Sequence, residues 1–208
     1  MTDMAVSRSF ELPDLVKKLV ELGIALAAEP DLEALLERIL SHARAVSGAE
    51  AGTIFVRDGD DLRFAVVQND FLVRRLGETE MKRHLLSERL PLSTPSLCGH
   101  VALTGNVVNV MDASAGGQVG DFPFNQQIDR KTGYVTRSVL ALPLRVAGGP
   151  ILGVIELLNA VNDEAVSVAF DPVSEPLVRW CASLAAVALA SRSHPLTNGR
   201  KSDRRHPA

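Results

Sequence analysis

The residues best suited to binding chemistry lie between Asn125 and Thr136. A short polar helix is predicted from Asn125 to Thr132, ended by Gly133. The unpaired N–H groups at its start would favour an anion such as a phosphate. Asp129 and Thr132 share one face of this helix, and Thr136 leads into the next strand, so the segment can bind a compact phosphorylated ligand. The spacing equally fits a structural role, in which Asp129 and Thr132 stabilise the helix and its exit turn.

Glu156 is a carboxylate within the apolar run from Ile151 to Asn159. An unpaired ionised carboxylate is strongly unfavourable in an apolar setting, so a buried Glu156 needs a partner. The candidates are a ligand, Arg137 on a neighbouring strand, and water at the rim of the sheet. We favour structural pairing.

Cys98 and His100 bring a thiol and an imidazole close together in sequence. Side chains two residues apart on a helix diverge by about 200°, which argues against a nucleophilic Cys–His pair. Cys98 is interpreted instead as a small apolar residue packed in a short helix. The chain has no GxSxG, GxxxxGK[ST] or HExxH motif, and its histidines and its two cysteines have no metal-ligand spacing. We therefore predict no catalytic residue and no metal site.

The composition is that of an ordinary globular protein: 208 residues, 46% hydrophobic and 23% charged, with a net charge of −3. Basic residues gather near the C-terminal end, from Arg200 to Arg205, so the rest of the chain is mildly acidic and a poor partner for nucleic acid. The chain shows neither a secretory signal nor an apolar run of about 20 residues. A cytoplasmic protein without a membrane span is predicted.

Five leucines from Leu12 to Leu26 recur at spacings of three and four residues, which predicts a helix with one leucine seam. Two heptads are too few for a stable isolated coiled coil. The seam therefore needs a partner, either the rest of this domain or the same helix of a second subunit. Asp31 is predicted to cap a second helix, which Gly48 ends.

The remaining chain alternates strands with short helices. Strands are predicted at 52–57, 62–68, 90–93, 107–111, 138–146 and 151–160, and helices at 96–104, 125–132 and 171–192. Residues 69–88 are either loop or short helix, and residues 112–121 are predicted to be loop. This order predicts an α+β fold, an antiparallel sheet with helices packed on its faces.

Several segments occur in an order and spacing that resemble a known family: Cys98-Gly-His-Val-Ala-Leu-Thr-Gly105, Asn109-Val-Met-Asp112, Lys131-Thr-Gly-Tyr-Val-Thr-Arg-Ser138, Leu142-Pro143-Leu, Gly153-Val-Ile-Glu-Leu-Leu-Asn159 and Phe170. They resemble GAF domains, above all the cyclic-nucleotide-binding GAF domains of phosphodiesterases and adenylyl cyclases. The resemblance implies a GAF-like six-stranded antiparallel sheet with helices on both faces, a ligand pocket on one face and outer helices that dimerise. It divides the chain into an N-terminal lead (1–14), a GAF domain with flanking helices (15–192) and a disordered basic tail (193–208).

The resemblance also implies roles for individual residues. It places Leu97 and Cys98 against a purine and Asn125 at the phosphate-facing end of the short helix. Four further residues would surround the nucleotide, namely Asp129, Thr132, Thr136 and Glu156.

The chain departs from the family pattern at two places. The Asn-Lys…Phe…Asp-Glu signature of the family is here Asn159-Ala160…Phe170…Ser174-Glu175, without the Lys and the Asp. Nucleotide-binding relatives also place an aromatic residue and an acid that read the base where this chain has Gln68-Asn-Asp70-Phe71. This segment matches them only loosely.

Our main hypothesis is a non-enzymatic sensory domain that binds a small ligand, with cAMP or cGMP as the leading candidate and no other cofactor. It would form a homodimer through its helices and signal to an effector protein in trans, since the predicted elements leave no room for a catalytic domain. One alternative is a structural dimerisation domain whose pocket is vestigial and filled by its own side chains, such as Met111, Phe122 or Phe124. Another is a redox enzyme of the GAF-type methionine sulfoxide reductase class, for which only Cys98 could serve.

Overall fold

The computed structural model describes residues 23, 29–92, 96–110, 127–162, 164 and 166–193. The strands in these residues are β1 (Ala49–Asp58), β2 (Asp61–Asn69), β3 (Arg89–Pro91), β4 (Val108–Val110), β5 (Val139–Arg145), β6 (Ile151–Val161) and β7 (Ser167–Val168). The α-helices are α1 (Leu32–Ser47), α2 (Asp70–Leu76), α3 (Glu78–Leu85), α4 (Leu97–Thr104), α5 (Gln127–Thr132) and α6 (Glu175–Ser193). A single 3₁₀ turn, Pro172–Ser174, leads into α6.

The sheet is antiparallel throughout the described residues. Six strands lie in the order β3-β2-β1-β6-β5-β4, and the two-residue strand β7 pairs with the end of β6. The predicted α+β fold with a six-stranded antiparallel sheet is confirmed, and β7 is a short addition to it. The β1–β6 contact is very close at Gly153, where an added Cβ would lie 2.0 Å from the carbonyl oxygen of Phe55.

Helices cover both faces of the sheet and form two separate cores. On one face α1 and α6 pack against side chains such as Leu140, Leu142, Ile155 and Leu157. On the other face the shorter helices pack against a second set that includes Phe55, Ala141 and Val154. Successive residues of β5 and β6 alternate between the cores, as the pleat of a strand requires. Because helices cover both faces of these two strands, nearly all of their side chains are apolar.

Capping residues set the two ends of α1. The Asp31 carboxylate accepts a hydrogen bond from the backbone N–H of Glu33, and Gly48 takes the left-handed conformation that ends the helix, with φ of 69°. The same logic sets α4, where Ser96 Oγ accepts from the N–H of Gly99 and Gly105 ends the helix with φ of 75°. The sequence predicted α1 from Asp31 and Gly48, and it predicted a helix at 96–104, where α4 lies.

Other boundaries differ from the prediction. The undecided stretch 69–88 contains the two short helices α2 and α3. The strand predicted at 90–93 lies instead at Arg89–Pro91, because Arg89, Leu90 and Pro91 pair with β2. The leucine seam from Leu12 to Leu26, residues 112–121, Asn125 and the basic tail lie outside the described residues.

Among the described helices, the segment Pro172–Arg192 has the length and apolar composition that a bilayer crossing needs. Its apolar character has another source in this fold. Val178, Cys181, Ala182, Ala185 and Ala186 belong to the core between α6 and the sheet. The packing therefore accounts for the apolar residues on the face of the helix that meets the sheet.

Candidate functional site

A cavity lies on the face of the sheet that carries the short helices. Its volume is about 90 Å³, several times the space that one water molecule needs. Its floor comes from β1, β2 and β6, and its walls come from α2, α4 and α5. The predicted site residues Leu97, Cys98, Asp129, Thr132, Thr136 and Glu156 all line it, while Asn125 lies outside the described residues. The structure thus brings six of the seven together, and their roles as ligand contacts stay predictions.

Glu156 projects from β6 into this cavity. Its Oε1 accepts a hydrogen bond from Sγ of Cys98 at 3.1 Å, whereas its Oε2 has no partner among the described residues. Burial raises the pKa of Glu156 to about 7, an increase that the Cys98 hydrogen bond opposes and the nearby Asp129 charge reinforces. Arg137, one of the three candidate partners, makes no hydrogen bond or ion pair with Glu156 among the described residues, and Cys98 on α4 is the residue that reaches the carboxyl group.

Cys98 is buried and has the chemical character of a packed thiol. Burial raises the pKa of its thiol well above the ordinary value, and the charge of Glu156 adds to this. Nε2 of His100 lies 3.2 Å from Oγ1 of Thr104, on the same helix. A thiol held neutral in this way is a poor nucleophile.

Asp129 and Thr136 bond to each other across the turn that follows α5. Asp129 Oδ2 accepts from the backbone N–H of Thr136 at 2.8 Å, and Oδ1 accepts from its hydroxyl at 3.0 Å. Burial raises the pKa of Asp129, and these two hydrogen bonds oppose the increase. The Thr132 hydroxyl donates to the carbonyl of Ile128 at 2.8 Å. These contacts match the structural interpretation of Asp129 and Thr132, and they leave lone pairs of Asp129 available to a ligand.

A buried hydrogen-bond network at the cavity wall was missed by the sequence reasoning. The Tyr134 hydroxyl donates to Oε2 of Glu50 at 3.0 Å and accepts from Nδ2 of Asn159 at 2.9 Å. Asn159 Oδ1 also accepts from the backbone N–H of Arg137 at 2.7 Å. This network fixes the segment that carries Tyr134 and Thr136 into the cavity.

Asn159 has a backbone conformation that few residue types adopt readily. Its φ is 52°, and it is the sole non-glycine residue with positive φ in the part of the chain described. Asn tolerates the left-handed region better than most residues, which suits it to this position at the end of the cavity floor. An asparagine within an apolar predicted strand was the signal that could have indicated a residue with positive φ.

The two missing signature residues are replaced by small buried ones. Ala160 pairs with Ala49 on one side and with Val168 on the other. Ser174 is buried, and its hydroxyl donates to the carbonyl of Asp171 at 2.7 Å. Neither position leaves a lone charge in the core, so the loss of the ion pair is compatible with the fold.

The charges at the described part of the cavity are all acidic. Asp129 and Glu156 are its two carboxyl groups, and no Lys, Arg or His is among the described residues that line it. Across the described residues, no group of three or more His, Cys, Asp and Glu has the arrangement of a metal site. The cavity therefore offers hydrogen-bond acceptors and apolar surface.

The end of β2 forms another part of the wall that the predicted site residues did not include. Val67, Asn69 and the α2 residue Leu72 line the cavity. Asp70 does not, although the resemblance compares its segment with base-reading residues. Its carboxylate instead accepts from Nη2 of Arg44 on α1 at 2.7 Å.

Comparison with known proteins places this architecture in a family. The family model described as GAF domain matches residues 31–189. The chain belongs to the GAF domain family. The model covers every described strand and all of the described cavity lining, while the predicted bounds at 15 and 192 stay predictions.

Two curated relatives of this GAF domain are phosphodiesterases. The dual 3′,5′-cyclic-AMP and -GMP phosphodiesterase 11 of Drosophila melanogaster is 29% identical over 178 residues, which is 82% of this chain. A cGMP-specific 3′,5′-cyclic phosphodiesterase of Drosophila ananassae is 29% identical over 151 residues, 69% of this chain. The chain spans about 12% of the length of each. The matches therefore concern only a small part of those proteins.

Solved structures share the fold at low sequence identity. The GAF domain from a phosphoenolpyruvate-protein phosphotransferase of Coxiella burnetii has a TM-score of 0.67 at 18% identity and covers 86% of this chain and 94% of that one. The free methionine-R-sulfoxide reductase of Neisseria meningitidis has a TM-score of 0.62 at 19% identity and covers 93% of this chain and 99% of that one. At these identities the likeness shows the fold alone.

Proposed function

We propose that this GAF domain is a non-enzymatic regulatory module whose cavity binds a small ligand, with cAMP or cGMP as the leading candidate. The observation that carries the proposal is Glu156. Its side chain is half-buried in the cavity, with one weak thiol donor on Oε1 and no described partner on Oε2. A buried carboxyl group is costly unless its hydrogen bonds are satisfied, and a ligand with N–H or O–H donors satisfies them.

The relatives support a nucleotide as this ligand. The two phosphodiesterases named above act on cyclic nucleotides, and they match this chain over most of its length. The polar groups Asp129, Thr132 and Thr136 stand beside Glu156 in the cavity. Apolar side chains such as Leu97 and Leu158 supply surface for a purine ring.

Calorimetric titration with cAMP and cGMP tests the proposal directly. We expect heat from at least one of them and a loss of about tenfold or more in affinity for Glu156→Ala, which removes the acceptor. Glu175→Gln is the matched control, because Glu175 pairs with Arg179 on the outer helix and does not line the cavity. No heat from either nucleotide at millimolar concentration, from a folded protein, overturns the nucleotide proposal.

The output of the module is proposed to pass through a helical homodimer to an effector protein in trans. The leucine seam from Leu12 to Leu26 supports this, because it needs an apolar partner. On α6, Val187 is 56% exposed and offers apolar surface next to the core helices. Sedimentation of the wild type and of Leu19→Glu tests the dimer, and we expect the substitution to shift the protein to monomer. A monomeric wild type at high micromolar concentration contradicts it.

A structural dimerisation domain with a vestigial pocket is the second candidate. The bonds between Asp129 and Thr136 and from Thr132 to Ile128 favour it, since those polar groups are satisfied without a ligand. It predicts that no small molecule co-purifies with the protein, which mass spectrometry of the native protein checks.

A redox enzyme is the third candidate, and the geometry gives it little support. Cys181 lies in the core between α6 and the sheet, on the opposite face from Cys98, so no second cysteine in the described residues can resolve an oxidised Cys98. A methionine sulfoxide reductase activity that Cys98→Ser abolishes would establish this function.

A further inference from the structure

The polar stripe of α1 is bonded to the end of β2 that lines the cavity. Glu37, Ser41 and Arg44 recur at spacings of four and three residues and therefore share one face of α1. Gln68 reaches all three of them. Its Nε2 donates to the carbonyl of Glu37 and to Oγ of Ser41, both at 2.9 Å, and its Oε1 accepts from Nη1 of Arg44 at 3.2 Å.

The pleat of β2 explains how one short segment serves both faces of the sheet. Val67 and Asn69 point toward the cavity, whereas the side chain of Gln68 between them points to α1 on the other face. Asn69 also caps α2, since its Oδ1 accepts from the N–H of Leu72 at 2.9 Å. Movement of the end of β2 at the cavity wall therefore moves Gln68, which is bonded to α1.

Arg44 adds a second attachment. Its Nη2 donates to the carbonyl of Glu50 at 2.6 Å and forms an ion pair with Asp70 at 2.7 Å. The guanidinium is mostly buried, with its side chain 16% exposed, and its Nε is buried without a partner in the described residues. A buried cation held by several acceptors has few alternative positions, so it transmits displacement of α2 to α1.

The helix α3 is attached to the same stripe. Lys82 Nζ lies 2.8 Å from Oε1 of Glu37 and 3.0 Å from Oε1 of Glu78. By contrast, α4 on the opposite wall has no hydrogen bond or ion pair to α1 among the described residues. One wall of the cavity is thus bonded to α1 and the other is not.

We propose that Gln68, Arg44 and Asp70 form a mechanical link that conveys changes at the β2–α2 wall of the cavity to helix α1. The link gives the proposed sensor its output route, and for its natural input it rests on the proposed ligand binding. Occupancy of the cavity changes the order of α1, which packs against α6.

Two cap substitutions test the link without a ligand. Asn69→Ala removes the cap of α2 on the linked wall, and Ser96→Ala removes the cap of α4 on the unlinked wall. Both residues are buried and line the cavity. We expect Asn69→Ala to accelerate amide hydrogen exchange in α1 by about fivefold, and Ser96→Ala to leave α1 near the wild-type rate while it loosens α4. Equal effects of the two variants on α1 overturn the proposal.

A decoupled background completes the ligand-free test. In Ser41→Ala/Arg44→Met only the bond from Gln68 to the Glu37 carbonyl remains, so added Asn69→Ala should change the exchange of α1 much less than it does in the wild type. Asp70→Asn is the milder variant, because it removes only the charge that faces Arg44, and it should reduce the effect in part. A full effect of Asn69→Ala in both backgrounds contradicts the link.

The ligand arm separates this proposal from the proposed function. For whichever of cAMP and cGMP gives heat, we expect slower exchange in α1 of the wild type and a much smaller change of α1 exchange in Ser41→Ala/Arg44→Met, with heat retained in both. Binding without a response of α1 in the wild type overturns the link and leaves ligand binding intact. Absence of heat overturns the nucleotide proposal, and the cap variants then decide the link by themselves.

Discussion

The thiol of Cys98 donates to the carboxyl group of Glu156 across 3.1 Å, inside a cavity whose described lining contains no cation. Each group alters the protonation of the other. Glu156 raises the pKa of Cys98, and the thiol hydrogen bond restrains the increase in the pKa of Glu156 that burial causes. The pair therefore makes the cavity chemistry sensitive to pH near neutrality.

Glu156→Gln should change the pH dependence of stability. The pKa of Glu156 is about 7 in the folded protein, whereas the ordinary pKa of a glutamate is 4.5, so the folded state binds more protons between these two pH values. The wild type then loses stability as pH rises through this window, by at most about 1.4 kcal/mol per pH unit. Urea unfolding from pH 4.5 to 8 measures this loss of stability. The Glu156→Gln variant should not show it. Parallel curves for the two proteins would show that the carboxyl group titrates normally.

Cys98 should react slowly with iodoacetamide at pH 7.5. Its thiol is buried, and its pKa is raised by burial and by Glu156. Glu156→Gln removes the negative charge and should accelerate the alkylation of Cys98 more than that of Cys181, which is in the other core. Peptide mass spectrometry resolves the two sites. Equal acceleration of both would indicate general loosening of the fold.

Asp129 and Thr136 should show a measurable coupling energy. The carboxylate accepts both the backbone N–H and the hydroxyl of Thr136, and bonds to a charged acceptor are the stronger class. A double-mutant cycle with Asp129→Ala and Thr136→Val should give about 1–2 kcal/mol by urea unfolding. The exposed pair Glu175 and Arg179 is the control and should give about 0.5 kcal/mol or less. A coupling no larger than that of the control would mean that the bond between the Thr136 hydroxyl and Asp129 does not stabilise the fold.

Asn159→Ala should destabilise the protein more than Asn159→Gly. Both variants lose the side-chain bonds to Tyr134, Val135 and Arg137, but only glycine relieves the backbone at φ of 52°. We expect a difference of about 1 kcal/mol in the free energy of unfolding between the two. The opposite order would mean that the left-handed conformation is not retained in the variants.

The apolar runs at 138–146 and 151–160 predicted two strands of the sheet, and Glu156 stood out as a carboxylate within the second of them. Its partner Cys98 lies on α4, 58 residues away in the chain, so the pairing depends on how that helix approaches the sheet. The spacing of residues in the sequence cannot show how α4 approaches the sheet, which is why Arg137 was a reasonable but wrong candidate. The ends of the helices were easier to predict, because Asp31, Gly48 and Ser96 act on neighbours within a few residues in the chain.

The Tyr134–Glu50 bond joins residues 84 positions apart and has no local signal. Likewise, Gln68 and Asn69 look alike in sequence, yet one side chain serves α1 and the other serves the cavity. The bulge between Ile54 and Phe55 shifts the register of β1 against β2 before this point, and such a shift decides which residues face which side. Turn and cap chemistry was therefore predictable, whereas the hydrogen-bond network at the site was not.

The separation of the two cores by a single sheet has a consequence for engineering. Along β5 and β6, every second side chain belongs to the cavity face, and its neighbours belong to the face that holds α1 and α6. A library restricted to the cavity-facing set could therefore be screened for new analytes while the packing of α1 and α6 is retained. With its one tryptophan, Trp180, on α6 beside that retained core, such a library would carry its own optical reporter.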